Sequence, residues 1–179
     1  MILDVRRLPI LETERLRLEP LAEGDAAHLF PIMHDPELVA YWDVLEDDDP
    51  EFVAGVIRSQ VEDMAAGKAI HWSMRTLEGG AYAGCFSVLE IDRRHRRAEV
   101  GFLFARGAGD AGYAAEVLRA VVAYAASDGL RKLAARTYLG ARRSEEALES
   151  LGFAEEGLLR GHILKDGERR DCRVFGLLL

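Results

Sequence analysis

Apolar and polar side chains alternate strictly through Arg15-Leu16-Arg17-Leu18-Glu19 and the run closes at Pro20, which predicts a half-buried first strand. The period then changes. Over residues 24–33, Ala27, Phe30 and Ile32 fall near one apolar stripe ahead of Pro36, and over residues 50–64 Phe52, Val53, Val56, Ile57, Val61 and Met64 recur at helical spacing. Asp49 before Pro50 fits an N-cap with proline in the first helical position. Residues 69–77 and 81–91, separated by Glu78-Gly79-Gly80, predict two antiparallel strands around a tight turn, and residues 98–104 a third strand. The apolar face of that meander needs a cover. A helix over residues 112–127 supplies it through Val117, Leu118, Val121, Val122 and Ala125, and Gly129 stops it. Residues 130–138 predict a strand and residues 144–151 a helix ended by Gly152. Residues 153–164 and 170–178 then form a tail hairpin about Asp166-Gly167.

The strand, helix, strand order of residues 98–138 implies a right-handed crossover, hence one parallel pair in a sheet that is antiparallel elsewhere. This is a mixed α/β (α+β) pattern of seven strands and four helices. No repeat, low-complexity stretch or linker interrupts it, so residues 1–179 are expected to form a single domain. A chain of 179 residues with 49% hydrophobic side chains can bury one core unaided. No apolar run approaches the length of a membrane span, and the first ten residues, MILDVRRLPI, carry charges where a secretory signal would be apolar, so a cytoplasmic protein with no membrane partner is expected. Cys85 and Cys172 lie in apolar stretches without a C-x-x-C pair and read as small buried hydrophobes.

Thirty-one acidic residues against 23 basic ones give a formal charge of -8, which disfavours nucleic acid and favours amine-bearing partners. The basic run from Arg93 to Arg97 and the acidic run from Glu46 to Asp49 read as solvated loops, the latter capping a helix. His28, His34, His71, His95 and His162 occupy separate elements and no cysteines pair, so no metal site is expected; no G-x-S-x-G elbow supports a serine hydrolase. The densest glycines, Gly101, Gly107, Gly109 and Gly112, sit between a strand and the start of the longest apolar-striped helix after it. Unpaired amides and the helix dipole there suit phosphate, although the lysine of a P-loop and the three-glycine dinucleotide pattern are both missing and a plain loop with glycines for turn geometry is the simpler reading of these residues alone.

Five segments in register add to this: Leu11-Glu12-Thr13-Glu14-Arg15-Leu16-Arg17-Leu18, Ala98-Glu99-Val100-Gly101-Phe102, Gly112-Tyr113-Ala114-Ala115-Glu116, Leu151-Gly152-Phe153 and Leu164-Lys165-Asp166-Gly167. Together they resemble the ribosomal-protein alanine and spermidine acetyltransferase branch of the Gcn5-related N-acetyltransferase (GNAT) superfamily, over nearly the whole chain. The resemblance implies a GNAT fold, with about seven strands splayed around a cofactor groove and about four flanking helices. It implies acetyl-CoA as cofactor and a primary amine as acceptor, either a small amine or a protein N-terminus, and it leaves a homodimer open. Val100, Gly101, Phe102, Leu103 and Phe104 would then hold the pantetheine arm, and the amides of Gly109, Asp110, Ala111, Gly112, Tyr113 and Ala114 the pyrophosphate. Ser144 would return a proton to the leaving thiolate, with a helix cap as its alternative role. Glu99 would be the base, with Glu90 and His71 behind it, and Tyr41, Trp42 and His71 would meet the acceptor. Two departures bear on the cofactor. Asp110 stands where the family's turn usually has glycine, and as an N-cap its carboxylate would compete for the amides of Gly112 or Tyr113; Ala141 replaces the usual asparagine beside the groove. The alternatives are a non-catalytic module of the same fold that binds a protein or an acyl-CoA, and a purely structural dimerising domain.

Overall fold

The computed structural model describes residues 3, 8–40 and 49–179 (for Asp110 the backbone only), and Tyr41 and Trp42 lie outside the described residues. The strands are β1 (Leu11–Glu12), β2 (Leu16–Pro20), β3 (Ile70–Thr76), β4 (Tyr82–Asp92), β5 (Arg97–Phe104), β6 (Lys132–Tyr138), β7 (Ala154–Lys165) and β8 (Glu168–Leu178). They form one sheet in the order β1-β2-β3-β4-β5-β6-β8-β7. The helices are α1 (Ala26–Met33), α2 (Pro36–Val39), α3 (Pro50–Ala65), α4 (Tyr113–Asp128) and α5 (Arg142–Ser150). The mixed α/β architecture follows the sequence pattern, with one strand and one helix more than expected. β1 has two residues and α2 four, too few to display a period.

Caps explain where the helices begin. Asp35 accepts from the N–H groups of Glu37 and Leu38 to start α2, and Asp49 accepts from Glu51 N–H at 2.9 Å to start α3, each followed by proline. α5 begins at Arg142 after Ala141, two residues before its expected start. Ser144 is therefore its third residue and not its cap, which corrects the capping alternative. Gly112, at φ 77°, precedes α4 as its N-cap residue and has no side chain to cap with; the expectation of Asp110 as N-cap is corrected accordingly.

α4 and α5 cover one face of the sheet, where Val117, Leu118, Val121, Ala125 and Leu148 pack on Ile70, Trp72, Phe86, Val88, Val100, Leu133 and Phe175. On the other face Leu29, Ile32, Met33, Val53 and Ile57 from α1 and α3 pack with Leu103 of β5.

Among the described residues β5 and β6 are the only parallel neighbours, and they pair from Arg97 opposite Lys132 only as far as Val100 opposite Ala135. Beyond that point β5 stays on β4, with Phe104 opposite Gly84, while β6 stays on β8, with Tyr138 opposite Cys172. The two strands part after Val100. Irregularities in β4 accompany the divergence: its register with β5 shifts between Leu89 and Asp92, where Glu90 has φ 48°, and its register with β3 shifts between Met74 and Arg75. Such bulges bend a strand and increase its twist.

Candidate active site

The parting leaves the backbone of Gly101 to Phe104 with a strand on the β4 side and none on the β6 side. A sheet edge inside the molecule needs partners for its amides and carbonyls, so this opening is built to receive something with hydrogen-bonding groups of its own. Two pockets of about 380 Å³ and 530 Å³ occupy it and share Phe102, Ala141 and Ser144.

The larger pocket lies toward the start of α4. Leu103, Phe104, Gly109 and Ala114 line it, together with Arg106, Arg142, Arg143 and Glu37. The uncapped first turn of α4 brings the positive end of that helix to the same region. Arg142 and Arg143 open α5, where the dipole disfavours cations, and both line this pocket. Arg106 spans from the end of β5 to α2. It meets both oxygens of Asp35, the shorter contact at 2.6 Å, and Glu37 Oε2 at 2.7 Å. Burial would raise the Asp35 carboxyl, but Arg106 and the two backbone N–H donors together hold it below its ordinary range.

The turn before α4 is fixed from the other end of the chain. Arg15 donates to the Ala111 carbonyl at 2.8 Å, pairs with Glu116 at 2.6 Å, and lies 4.7 Å over the Tyr113 ring. Glu116 also accepts from the Thr13 hydroxyl and the Arg15 N–H. Burial alone would push the Glu116 carboxyl up, yet these donors outweigh it and lower it. Thr13, Arg15, Tyr113 and Glu116, distant in sequence, thus form one support for the turn. Ala111, Gly112 and Tyr113 belong to that support and line neither pocket.

The smaller pocket is lined by Glu99, Val100 and Gly101 of β5, Arg136, Thr137 and Tyr138 of β6, His162 of β7 and Cys172 of β8. Arg136 is its hub. It donates through Nε to Glu99 Oε1 and through Nη2 to Glu90 Oε1, each at 2.9 Å, and its Nη1 lies 3.2 Å from His162 Nε2. The Glu99 hydrogen bond leads in raising the Arg136 guanidinium above its ordinary value. At the back, Glu145 is buried between the Thr137 hydroxyl at 3.5 Å and Arg173 at 3.2 Å, which anchors the first turn of α5 and with it Ser144.

Of the residues singled out from sequence, Ser144, Glu99, Val100, Gly101, Phe102, Leu103, Phe104, Gly109, Ala114 and Ala141 line one or both pockets. His71 does not. It is buried in the sheet, with Nδ1 2.8 Å from Ser87 Oγ, and burial pushes its imidazole down to about 4. Its expected acceptor and base roles are corrected by that position. Sequence reasoning missed Arg136 and Arg106, and read His162 only as an isolated histidine. Nothing in the local pattern marks these three, and Arg142 and Arg143 lay just outside the helix expected over residues 144–151. No group of three or more potential metal ligands occurs among the described residues, and none of their helices is long and apolar enough to cross a membrane. Neither Cys85 nor Cys172 is in a disulfide, and burial pushes the Cys85 thiol up to about 12.

A family model described as an acetyltransferase (GNAT) domain matches residues 15–154. An uncharacterized N-acetyltransferase, YoaA, of Bacillus subtilis (strain 168) is 27% identical over 171 residues, 95% of this chain and 97% of that protein. Among solved structures, the chain resembles spermidine N-acetyltransferase from Vibrio cholerae in complex with CoA and spermine. The TM-score is 0.80 at 19% identity, over 91% of this chain and 95% of that one. It also resembles RimL, a ribosomal L7/L12 alpha-N-protein acetyltransferase in complex with coenzyme A, with a TM-score of 0.87 at 16% identity, over 96% of this chain and 98% of that one.

Proposed function

This chain belongs to the GNAT acetyltransferase family and is an acetyl-CoA-dependent N-acetyltransferase; we propose that the opening between β5 and β6 is where it acts, with the cofactor in the larger pocket and the amine in the smaller. The observation that carries this reading is the end of β5–β6 pairing at Val100 and Ala135, which leaves a strand edge facing a cavity. When bound, acetyl-CoA supplies an acetyl group already activated as a thioester. The residues around the opening fit such a ligand. The free edge of Gly101 to Phe104 suits the amides of its arm, and the start of α4 with Arg106, Arg142 and Arg143 suits its phosphates.

Ser144 stands where the two pockets meet, and its hydroxyl can hand a proton to the departing sulfur. Glu99 is tied to Arg136 and, in this reading, holds that guanidinium in place. The acceptor is a primary amine, either a small amine or a protein N-terminus, both of which suit a pocket lined by Glu99, with Glu90 bonded to the same Arg136. Two cysteines that form no disulfide suit a reducing cytoplasm.

Titration with acetyl-CoA by calorimetry, followed by thiol release against spermidine, spermine and short peptides with free N-termini, tests the assignment. Binding with turnover of at least one amine supports it. Binding without turnover of any would favour a non-catalytic acyl-CoA module, and no binding at all would overturn the placement of the cofactor.

A further inference from the structure

A primary amine in neutral water is largely an ammonium, and its nitrogen has no electron pair to offer until a proton leaves. In the smaller pocket one side chain is set to take that proton. β7 shifts its register against β8 between Leu159 and Ile163; within the shift Gly161 adopts φ 58° and donates its N–H to Asp171 Oδ1 at 2.7 Å. A bulge of this kind re-aims the side chains beside it. His162, the next residue, lines the pocket with Ser144 and Glu99.

The Arg136 contact fixes the imidazole's state. A guanidinium only donates, so at 3.2 Å from Arg136 Nη1 the His162 Nε2 must carry the lone pair, with the ring hydrogen on Nδ1. The two other Arg136 contacts are shorter and join opposite charges, to Glu99 and Glu90 at 2.9 Å each. Bonds that join a guanidinium to a carboxylate are stronger than one to a neutral imidazole, so an arriving ammonium displaces the histidine contact first and Arg136 stays on its carboxylates. The charged and titratable groups facing His162 are Glu90 from β4, Glu99 from β5, Arg136 from β6, and Asp171 and Arg169 from β8, the last donating to the Gly161 carbonyl at 3.1 Å. Glu99 lines the pocket with Arg136, and Glu90, bonded to the same guanidinium, leaves the three groups together with a net negative charge that attracts an ammonium. His162 itself is exposed and can pass a proton on to water.

We propose that His162 is the general base of the acetyl transfer, with Arg136 as the residue that positions it. This rests on the acetyltransferase reading. The ammonium proton passes to His162 Nε2, and the freed nitrogen pair forms the bond to the acetyl carbon. The nitrogen of the adduct then carries the positive charge; as the carbon–sulfur bond breaks with its pair on sulfur, that nitrogen sheds its second proton through water to the Ser144 hydroxyl, which hands its own proton to the sulfur. An imidazole is better matched to this transfer near neutral pH than a carboxylate is.

Two measurements test it. In the ligand-free protein with ¹⁵N-labelled histidine, the His162 resonances are expected to report a bare Nε2 and a protonated Nδ1, and Arg136→Lys should loosen that preference. In kinetics, His162→Gln should lower kcat/KM for the fastest amine of the panel by roughly 100-fold near neutral pH. The loss should shrink at alkaline pH, where the amine sheds its own proton, and acetyl-CoA affinity should stay within about twofold of wild type. A loss equal at every pH, an unchanged rate, or an Nε2–H tautomer would each overturn the assignment while leaving the acetyltransferase reading in place. Absence of turnover in the wild-type protein would overturn that reading and the base with it.

Discussion

Two histidines with opposite surroundings show how position decides chemistry at the residue scale. His162 reaches a water-facing pocket beside Arg136, whereas His71 is 4% exposed and has Ser87 Oγ at 2.8 Å as its polar partner. Taking a charge out of water without a counter-charge is costly, and burial pushes the His71 imidazole from 6.5 down to about 4. The direction of the stability effect follows. Between about 4 and 6.5 the unfolded chain binds the proton and the folded chain does not, so the contribution is complete above the upper value and is lost as pH falls through the window. The full loss is on the order of 3 kcal/mol. Urea unfolding at about pH 7.5 and about pH 5 is expected to show a marked fall in wild-type stability and a shallower one for His71→Gln. Equal falls in both proteins would show that His71 is not the titrating group. Its apolar-strand context in the sequence was compatible with either a buried or a groove-facing side chain, and only the pairing of β3 with β4 decides between them.

At the element scale, the opening depends on how β4 carries β5 away from β6. Gly84 sits opposite Phe104 with φ 139°, and a Cβ there would lie 2.1 Å from the Leu103 carbonyl oxygen. No rotamer relieves a clash with backbone. Gly84→Ala is therefore expected to cost on the order of 3 kcal/mol and, by displacing Leu103 on the free edge of β5, to weaken coenzyme A binding in the protein that still folds. Gly55, inside α3 with no described atom within 4 Å of the place a Cβ would take, is the matched control; Gly55→Ala should stabilise by about 0.5–1 kcal/mol and leave coenzyme A affinity alone. Thermal unfolding with a coenzyme A titration separates the two, and equal effects from both would remove Gly84 from the account of the groove. The strands and long helices were legible because alternation and helical spacing are local properties of the chain. The bend was not. Gly84 reads in sequence as one more glycine in a strand, and its need for a bare backbone appears only once Leu103 lies across from it.

For the whole molecule, the same reasoning explains why the site was half readable. Glycines and a helix start in one stretch of chain pointed to the phosphate end, whereas Glu90, Glu99, Arg136 and His162 come from four strands whose order and register no local pattern states. The assembled slot is polarised. Arg106, Arg142 and Arg143 line the larger pocket against Glu37, while Glu99 and Arg136 line the smaller and Glu90 is bonded to that Arg136, on a chain of formal charge -8. In the proposed arrangement the basic end would draw in the phosphates of the cofactor and the other end an ammonium, ordering the two substrates without a moving part. Beside Arg106, which is bonded to Asp35 and Glu37, the larger pocket is lined by Arg142 and Arg143 at the start of α5. Replacing both with Ala is expected to raise the acetyl-CoA KM by about tenfold, equivalent to 1.4 kcal/mol, with kcat nearly unchanged. The salt response should change with it. Raising ionic strength shortens the screening length and should weaken cofactor binding to the wild type, and should do so much less in the double variant. A matching loss in kcat would mean that the substitutions disturbed Ser144, one residue further along the same helix. An unaltered salt dependence would mean that the phosphates are held by backbone amides at the start of α4 alone.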